Sequence, residues 1–140
     1  MNLNKLIKIA DWYLYKDVVI RRLVKEKRAG FIANTLPGDI KSNPTENTAI
    51  KHLSEVTSVV ERNGKIIYFP ERWIILFDKL YNSLEGQFLA IATARYSRKE
   101  KYVVTCARLE ITANKYFTVL KEIRVMAVIY AVELGLIKTK

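Results

Sequence analysis

Cysteine and histidine are almost absent from this sequence of 140 residues, which contains only Cys106 and His52. A lone cysteine cannot form an internal disulfide, and the two residues together cannot supply the four ligands of a structural zinc site. We therefore expect no bound metal and a reducing, cytoplasmic compartment. We expect His52 to be an exposed helix residue, and Cys106 to be a small buried residue where two helices cross.

Sequence motifs typical of catalysis or phosphate binding are also missing. The five glycines are scattered and form no phosphate-binding loop, and no Ser-His-Asp set or carboxylate pair occurs at a recognisable spacing. Acid–base and nucleophilic catalysis need such groups. We therefore expect no catalytic residue and no cofactor, and we predict that the protein is not an enzyme.

Long apolar runs are absent as well. Lys5, Lys8 and Asp11 interrupt the first dozen residues, and no stretch approaches the roughly 18 uncharged apolar residues of a membrane-spanning helix. We expect a soluble, intracellular protein with no membrane partner.

Positive charge, by contrast, is abundant and unevenly placed. The net charge is +10, and residues 1–30 and 95–124 each carry +5, whereas residues 31–94 carry −1. A polyanionic partner should therefore contact the two basic regions, and nucleic acid is favoured because clustered lysine and arginine release counterions from phosphates. The alternative is a solvated surface that keeps the protein soluble.

Apolar spacing of three or four residues predicts one helix over residues 3–28, and we assign 1–29 to an N-terminal basic helix. Residues 30–45 contain two of the three prolines, which predicts a loop with a turn at Pro37-Gly38 and a linker over 30–43. Cations in the last two turns of the basic helix interact favourably with the negative end of its dipole and could also bind phosphates. An ordinary surface helix explains them equally well. This predicted secondary basic patch comprises Arg21, Arg22, Lys25 and Arg28.

A helical domain is predicted over residues 44–140. Asn43-Pro44 indicates a helix start, and apolar spacing extends that helix to Val60. Around Asn63-Gly64, residues 57–69 favour a small β-hairpin over a continuing helix. Pro70-Glu71 opens the next helix. Ser83 is the predicted N-cap of a helix over Leu84–Tyr96, whose inward residues are Phe88, Leu89 and Ala92.

Residues 97–124 have the pattern of a helix-turn-helix, so the predicted fold is mainly α, with several helices and this unit near the C-terminus. The predicted turn is Glu110-Ile111-Thr112, with Ile111 as its apolar plug and Thr112 as N-cap of the second helix. That helix should bury one side and present a short, polar, positive side to the major groove. The residues expected inside are Tyr116, Leu120 and Ile123.

The predicted DNA contacts fall into two groups. Asn114 and Lys115 suit base edges, Thr118 suits a thymine methyl group, and Lys121 suits the backbone. Basic residues at the entry to the unit suit phosphates. The complete predicted set is Arg98, Lys99, Lys101, Ala113, Asn114, Lys115, Thr118 and Lys121.

The second helix of the unit is predicted to run from Ala113 to Leu134. Its second half carries more apolar residues than one small domain needs to cover, so we expect a homo-oligomer contact there. These residues are Val125, Val128, Ile129 and Val132.

Three stretches resemble a known family: DWYLYKDVVIRRLV, KSNPTENTAIKHL and LEGQFLAIATARYSRKEKYVVTCARLEITANKYFTVLKEI. Together they cover most of the chain, which resembles the RinA/ArpU family of phage and prophage late transcription regulators. The last stretch also looks like region 4 of bacterial primary sigma factors, which reads promoter DNA and contacts RNA polymerase. The resemblance implies an activator of late phage genes that acts on double-stranded DNA in a bacterial host cell, with host RNA polymerase as a further partner.

Two features depart from the family pattern. NGKIIYFPE looks inserted and β-like where family members have charged helical sequence, and position 110, commonly glycine in such units, is glutamate. Two other functions stay open beside the regulator: a small-terminase-like DNA-recognition subunit of a phage packaging machine, and a polymerase- or sigma-interacting protein. A ring of subunits would favour packaging, and steeply salt-dependent DNA binding would separate the first two functions from the third.

Overall fold

The computed structural model describes the backbone of residues 2–39 and 54–138, with the side chains of 2–30 and 54–138. This part of the chain is mainly helical with a small two-stranded sheet, which confirms the predicted fold class. The elements are α1 (Leu3–Tyr15), α2 (Asp17–Asp39), β1 (Ser58–Val60), β2 (Ile66–Tyr68), α3 (Pro70–Ser83), α4 (Gly86–Ala92), a π-helical turn (Thr93–Ser97), α5 (Tyr102–Leu109) and α6 (Ala113–Glu133).

The predicted N-terminal helix is interrupted. The side chain of Asn2 caps α1 by accepting the Lys5 N–H at 2.8 Å. The helix ends at Tyr15, and the C-cap residue Lys16 donates its N–H to the Tyr13 carbonyl at 3.0 Å. A second helix starts at Asp17, whose negative carboxylate interacts favourably with the positive N-terminal end of the helix dipole. The prediction of one helix over 3–28 is therefore wrong at this point, because the apolar spacing did not reveal the break.

Beyond residue 28 the structure also differs from the expected loop. α2 continues through Gly30 to Asp39, so the predicted loop over 30–45 is wrong for its first ten residues. Glycine inside a helix costs only about 1 kcal/mol relative to alanine, which neighbouring helix formers can offset. The expected helix start at Asn43-Pro44 and the expected exposure of His52 lie outside the described residues.

Two compact units make up the chain: Met1–Val18 with Arg72–Lys140, and Val19–Glu71. The predicted division into 1–29, 30–43 and 44–140 has different boundaries. The second unit contains the hairpin, in which Val59 pairs with Ile67 and both are buried. The turn matches its sequence signal, because Gly64 has φ +87° and donates its N–H to the Glu61 carbonyl at 2.9 Å.

Two basic residues of α2 bind the hairpin and the segments on either side of it. Lys27 Nζ donates to the Ser58 carbonyl at 2.6 Å, and the Arg28 guanidinium donates to the Glu71 carboxylate and to the Ser54 carbonyl. The same Glu71 oxygen accepts the Val56 N–H at 2.6 Å. Val56 lies outside any helix, two residues before β1, so the prediction of a helix reaching Val60 is wrong for residues 56–60.

α3 begins at Pro70, as predicted, and supplies much of the core of the first unit. The Tyr13 ring stacks on Trp73 with centroids 3.9 Å apart and planes within 5°. The large side chains that are fully buried here include Trp73, Leu76, Phe77, Leu80, Ile91, Tyr96, Tyr116, Leu120 and Ile123.

The predicted helix over Leu84–Tyr96 is only partly correct. Ser83 ends α3, donating its hydroxyl to the Leu80 carbonyl at 2.8 Å, so its assignment as an N-cap is wrong. α4 starts at Gly86 and passes into the π-helical turn, where Arg98 N–H reaches the Thr93 carbonyl at 3.0 Å. Ala92 is buried as expected, but Leu89 is 37% exposed. No helix in the described residues is both long and apolar enough to cross a membrane.

Candidate nucleic-acid interface

α5, a three-residue turn and α6 form the unit that was predicted as a helix-turn-helix. Glu110 ends α5 in the left-handed conformation, with φ 55° and ψ 48°. Thr112 then caps α6, since its hydroxyl accepts the Lys115 N–H at 3.1 Å. The break and the cap are as predicted, and Ile111 is half-buried in the turn. Glutamate thus occupies a backbone conformation that glycine adopts more readily.

The fully buried residue of α5 is Thr105, not Cys106. Thr105 Oγ1 donates to the Glu100 carboxylate at 2.7 Å. Cys106 is only half-buried, and its Sγ lies 3.8 Å from the Thr112 carbonyl oxygen. The prediction of a buried cysteine is therefore wrong, because a hydroxyl with a partner occupies the most enclosed position on this helix.

α6 separates an inward and an outward side in its first three turns. Tyr116, Leu120 and Ile123 are each completely buried, as predicted. Burial raises the pKa of the Tyr116 hydroxyl. The five residues assigned to the DNA-facing side are all exposed: Ala113, Asn114, Lys115, Thr118 and Lys121.

The outward side offers several groups for recognition. Thr118 donates its hydroxyl to the Asn114 carbonyl at 2.8 Å, which satisfies the hydroxyl within the helix. The side chains of Asn114, Lys115 and Lys121 make no hydrogen bond or ion pair with any residue that the structure describes. An amide and two ammonium groups are therefore available to a ligand.

The three basic residues that precede α5 differ from one another. Arg98 lies 4.0 Å from a Glu100 oxygen. Lys99, at φ 57°, donates to the Tyr15 carbonyl and lies 3.8 Å from the centroid of the Tyr15 ring. Burial lowers the pKa of Lys99. Its ammonium group is thus already engaged with α1, whereas Lys101 is exposed and makes no side-chain contact of this kind in the described part of the chain.

Glu100 links the segment before α5 to the helix itself. Its carboxylate accepts the Thr105 hydroxyl and, at 3.0 Å, the Arg108 guanidinium. These hydrogen bonds lower the pKa of Glu100. The first turn of α5 is therefore fixed by a carboxylate that remains ionised at neutral pH.

Sequence reasoning missed the ion-pair cluster around Asp11. This α1 carboxylate accepts Arg95 Nε at 3.2 Å and Nη2 at 3.1 Å, the Tyr96 hydroxyl at 2.6 Å and Arg124 Nε at 3.0 Å. The π-helical turn brings the adjacent residues Arg95 and Tyr96 to the same carboxylate. α1, the turn and α6 are joined in this way, so α1 is a structural part of the helix-turn-helix unit.

The charges within this cluster support one another. Burial raises the pKa of Asp11, but the hydrogen bonds from Arg95 and Tyr96 and the charge of Arg124 more than offset it, so the pKa lies below its ordinary value. Burial and the neighbouring carboxylate raise the pKa of Tyr96, whose hydroxyl therefore stays protonated and donates. No local sequence signal could reveal these contacts, which join residues 84 to 113 positions apart.

The predicted secondary basic patch belongs to the other compact unit. Arg28 is engaged with Glu71, and Arg22 lies 3.7 Å from Glu26. Arg21 is half-buried, and Lys25 is exposed. At least Arg28 therefore has a structural role within its own unit.

The second half of α6 is partly exposed. Ile129 and Val132 are 51% and 39% exposed, whereas Val128 is buried and Val125 is half-buried. The expected apolar surplus is thus limited to two residues that share one side of the helix.

Comparison with protein-family models, curated proteins and solved structures gives no match to this chain.

Proposed function

We propose that this protein binds duplex DNA sequence-specifically through the helix-turn-helix, with the first turns of α6 in the major groove. In this proposal it regulates transcription in a phage or prophage, as an activator of late genes that also contacts host RNA polymerase. The observation that carries the DNA-binding proposal is the division of α6. Its inward residues are fully buried, while the outward side presents Asn114, Lys115 and Lys121 without partners among the described residues.

The chemistry of that side suits a base edge bordered by phosphates. An asparagine amide can pair with the donor and acceptor of adenine, and lysine can donate to guanine O6 or N7. Lys101, at the N-terminus of α5, is exposed and suits a phosphate. The first unit also supplies the positive charge for salt-dependent attraction, because residues 95–124 carry +5.

A selection from duplexes of random sequence followed by salt titrations tests this proposal. On the selected site, Asn114→Ala should cost about 1–3 kcal/mol of binding free energy, with little effect on a scrambled duplex. Lys101→Ala should weaken binding to both duplexes alike and reduce the salt slope by about one unit. Asn82 is an exposed asparagine on α3, so Asn82→Ala is the matched control. It should change neither the affinity for either duplex nor the salt slope.

Two results would contradict the proposal. If Asn114→Ala weakens binding to the selected and scrambled duplexes equally, or weakens binding to neither, then α6 does not read bases. If the wild-type protein binds no duplex, the basic regions serve another acidic partner.

A second candidate is DNA recognition within a phage packaging machine. The exposed Ile129 and Val132 favour it, because they provide apolar surface for contact between subunits. Sedimentation of the purified protein separates the two functions. A ring of many subunits supports packaging, and a monomer or dimer supports the regulator.

A further inference from the structure

α1 and α6 line an open, groove-like cavity beside the proposed DNA-reading surface. The cavity has a volume of about 440 Å³ and is lined by Asn4, Ile7, Lys8, Phe117, Lys121 and Arg124. We call it the Lys8–Lys121 cavity. α1 contributes Asn4 together with Ile7 and Lys8, which lie three and four residues after it, and α6 contributes Phe117, Lys121 and Arg124 at successive spacings of four and three. The cavity therefore follows the seam between the two helices.

The position of this seam is fixed by the Asp11 cluster. Asp11 lies one turn after Lys8, and its carboxylate accepts Arg124 Nε at 3.0 Å. Arg124 in turn lies one turn after Lys121. One ion pair thus aligns the two helices at one end of the cavity, so that Lys8 and Lys121 line it together.

Two lysines give the cavity an uncompensated positive charge. Lys8 and Lys121 are both exposed, and neither side chain forms a hydrogen bond or ion pair with the residues described. Arg124 is paired with Asp11, and no carboxylate lines the cavity. Asn4 adds an exposed amide, while Ile7 and Phe117 provide apolar walls. The chemistry therefore favours a small anion that accepts several hydrogen bonds, as a phosphate group does.

Lys121 relates the cavity to the proposed DNA contact. It belongs to the outward side of α6, one turn beyond Thr118, and it also lines the cavity. When the first turns of a recognition helix lie in the major groove, residues further along the helix meet the sugar–phosphate backbone at the edge of the groove. Because Lys8 and Lys121 line the same cavity, a backbone phosphate that Lys121 contacts there also lies close to Lys8.

We propose that the Lys8–Lys121 cavity holds a backbone phosphate of the duplex that α6 reads, with Lys8 of the N-terminal helix as a previously unassigned DNA contact. This inference rests on the proposed DNA binding and extends it from the helix-turn-helix to α1. α1 then has two roles in one unit: Asp11 positions α6, and Lys8 binds the same DNA molecule. The contact is to the backbone, so it raises affinity without reading sequence.

Lys5 offers a matched control. It is an exposed lysine on the same helix, three residues before Lys8, and it does not line the cavity. Duplex affinity is measured across a range of salt concentrations for the full-length wild-type protein and for Lys8→Gln, Lys5→Gln, Lys121→Gln and the Lys8→Gln/Lys121→Gln pair. Circular dichroism and thermal unfolding check that each variant is folded.

Lys8→Gln should lower the slope of log K against log salt by about one unit, equally on selected and scrambled duplexes. At about 0.1 M salt, this corresponds to roughly five- to tenfold weaker binding. Lys5→Gln should keep the wild-type slope. The Lys8→Gln/Lys121→Gln double variant should lose less binding free energy than the sum of the losses in the two single variants, because both lysines contact one phosphate.

Three results would overturn the inference. A wild-type slope for Lys8→Gln, with DNA binding intact, rejects the α1 contact and leaves the proposed function standing. Equal losses for Lys8→Gln and Lys5→Gln indicate general attraction rather than this cavity, and strict additivity in the pair rejects the shared phosphate. Failure of the wild-type protein to bind any duplex rejects both the inference and the proposed function.

Discussion

Asp11 and Arg124 lie 113 residues apart in sequence, and the carboxylate of one accepts the Nε–H of the other at 3.0 Å. Arg95 and Tyr96 bind the same carboxylate from the π-helical turn. A single acidic side chain on α1 thus joins α1, the π-helical turn and α6 within the unit that contains the helix-turn-helix.

Asp11→Asn should lower the free energy of unfolding by about 2 kcal/mol, because it removes a charged acceptor and leaves two partly buried arginines without their anion. Urea denaturation at neutral pH measures the change. Glu122→Gln, an exposed carboxylate on α6, is the control and should alter stability by less than about 0.5 kcal/mol. Equal stability of Asp11→Asn and the wild type would show that the cluster contributes no net stabilisation.

The contribution of Asp11 should also depend on pH. Its pKa is lower in the folded protein than in the unfolded chain, so its stabilising contribution is fully present above the unfolded value, about 3.9, and is lost as the pH falls through the folded-state pKa. The difference in unfolding free energy between wild type and Asp11→Asn should therefore shrink as the pH falls below about 4. Urea denaturation over this range measures it, and a difference independent of pH would contradict the prediction.

Thr112→Ala should destabilise the protein by about 1 kcal/mol, because the hydroxyl that accepts the Lys115 N–H is lost from the start of α6. Thr118→Ala is the matched control. Its hydroxyl bonds back to the Asn114 carbonyl, which already accepts an N–H bond inside the helix, so the loss should be smaller. Thermal unfolding compares the two variants, and the reverse order would show that Thr112 does not act as the cap.

Lys99→Met should reduce the free energy of unfolding by about 1 kcal/mol, since the ammonium group loses the Tyr15 carbonyl and the face of the Tyr15 ring. Lys101→Met should leave it unchanged, because that side chain is exposed. Urea denaturation of both variants measures the difference. If the two variants are equally stable, the Tyr15 contacts add nothing, and Lys99 is free to serve as a phosphate contact as the sequence suggested.

Sequence signals worked where the cause of the structure was local. Thr112 before an apolar period identified the start of α6, and Asn63-Gly64 identified the hairpin, because each signal depends on the backbone preferences of a few adjacent residues. The buried and exposed sides of α6 followed from helical spacing alone. Local chemistry was therefore enough to place the outward residues of the candidate site.

Features set by distant contacts could not be predicted in the same way. The break at Lys16 and the π-helical turn lie inside stretches with regular apolar spacing, so the pattern concealed them. Asp11 looked like one more charge in a basic helix, although its three partners lie 84 to 113 residues away. For Lys99, the sequence showed a cation but not the Tyr15 carbonyl that it binds.

The long separation of Asp11 and Arg124 along the sequence has a consequence during protein synthesis. Arg124 is synthesised 113 residues after Asp11, which takes roughly 6 to 23 s at common translation rates. Until then the apolar side of α1, formed by Leu6, Ile7, Ala10 and Leu14, lacks the helix that covers it. The unit that contains the helix-turn-helix can therefore form only after α6 has been synthesised, and until then the apolar side of α1 is uncovered.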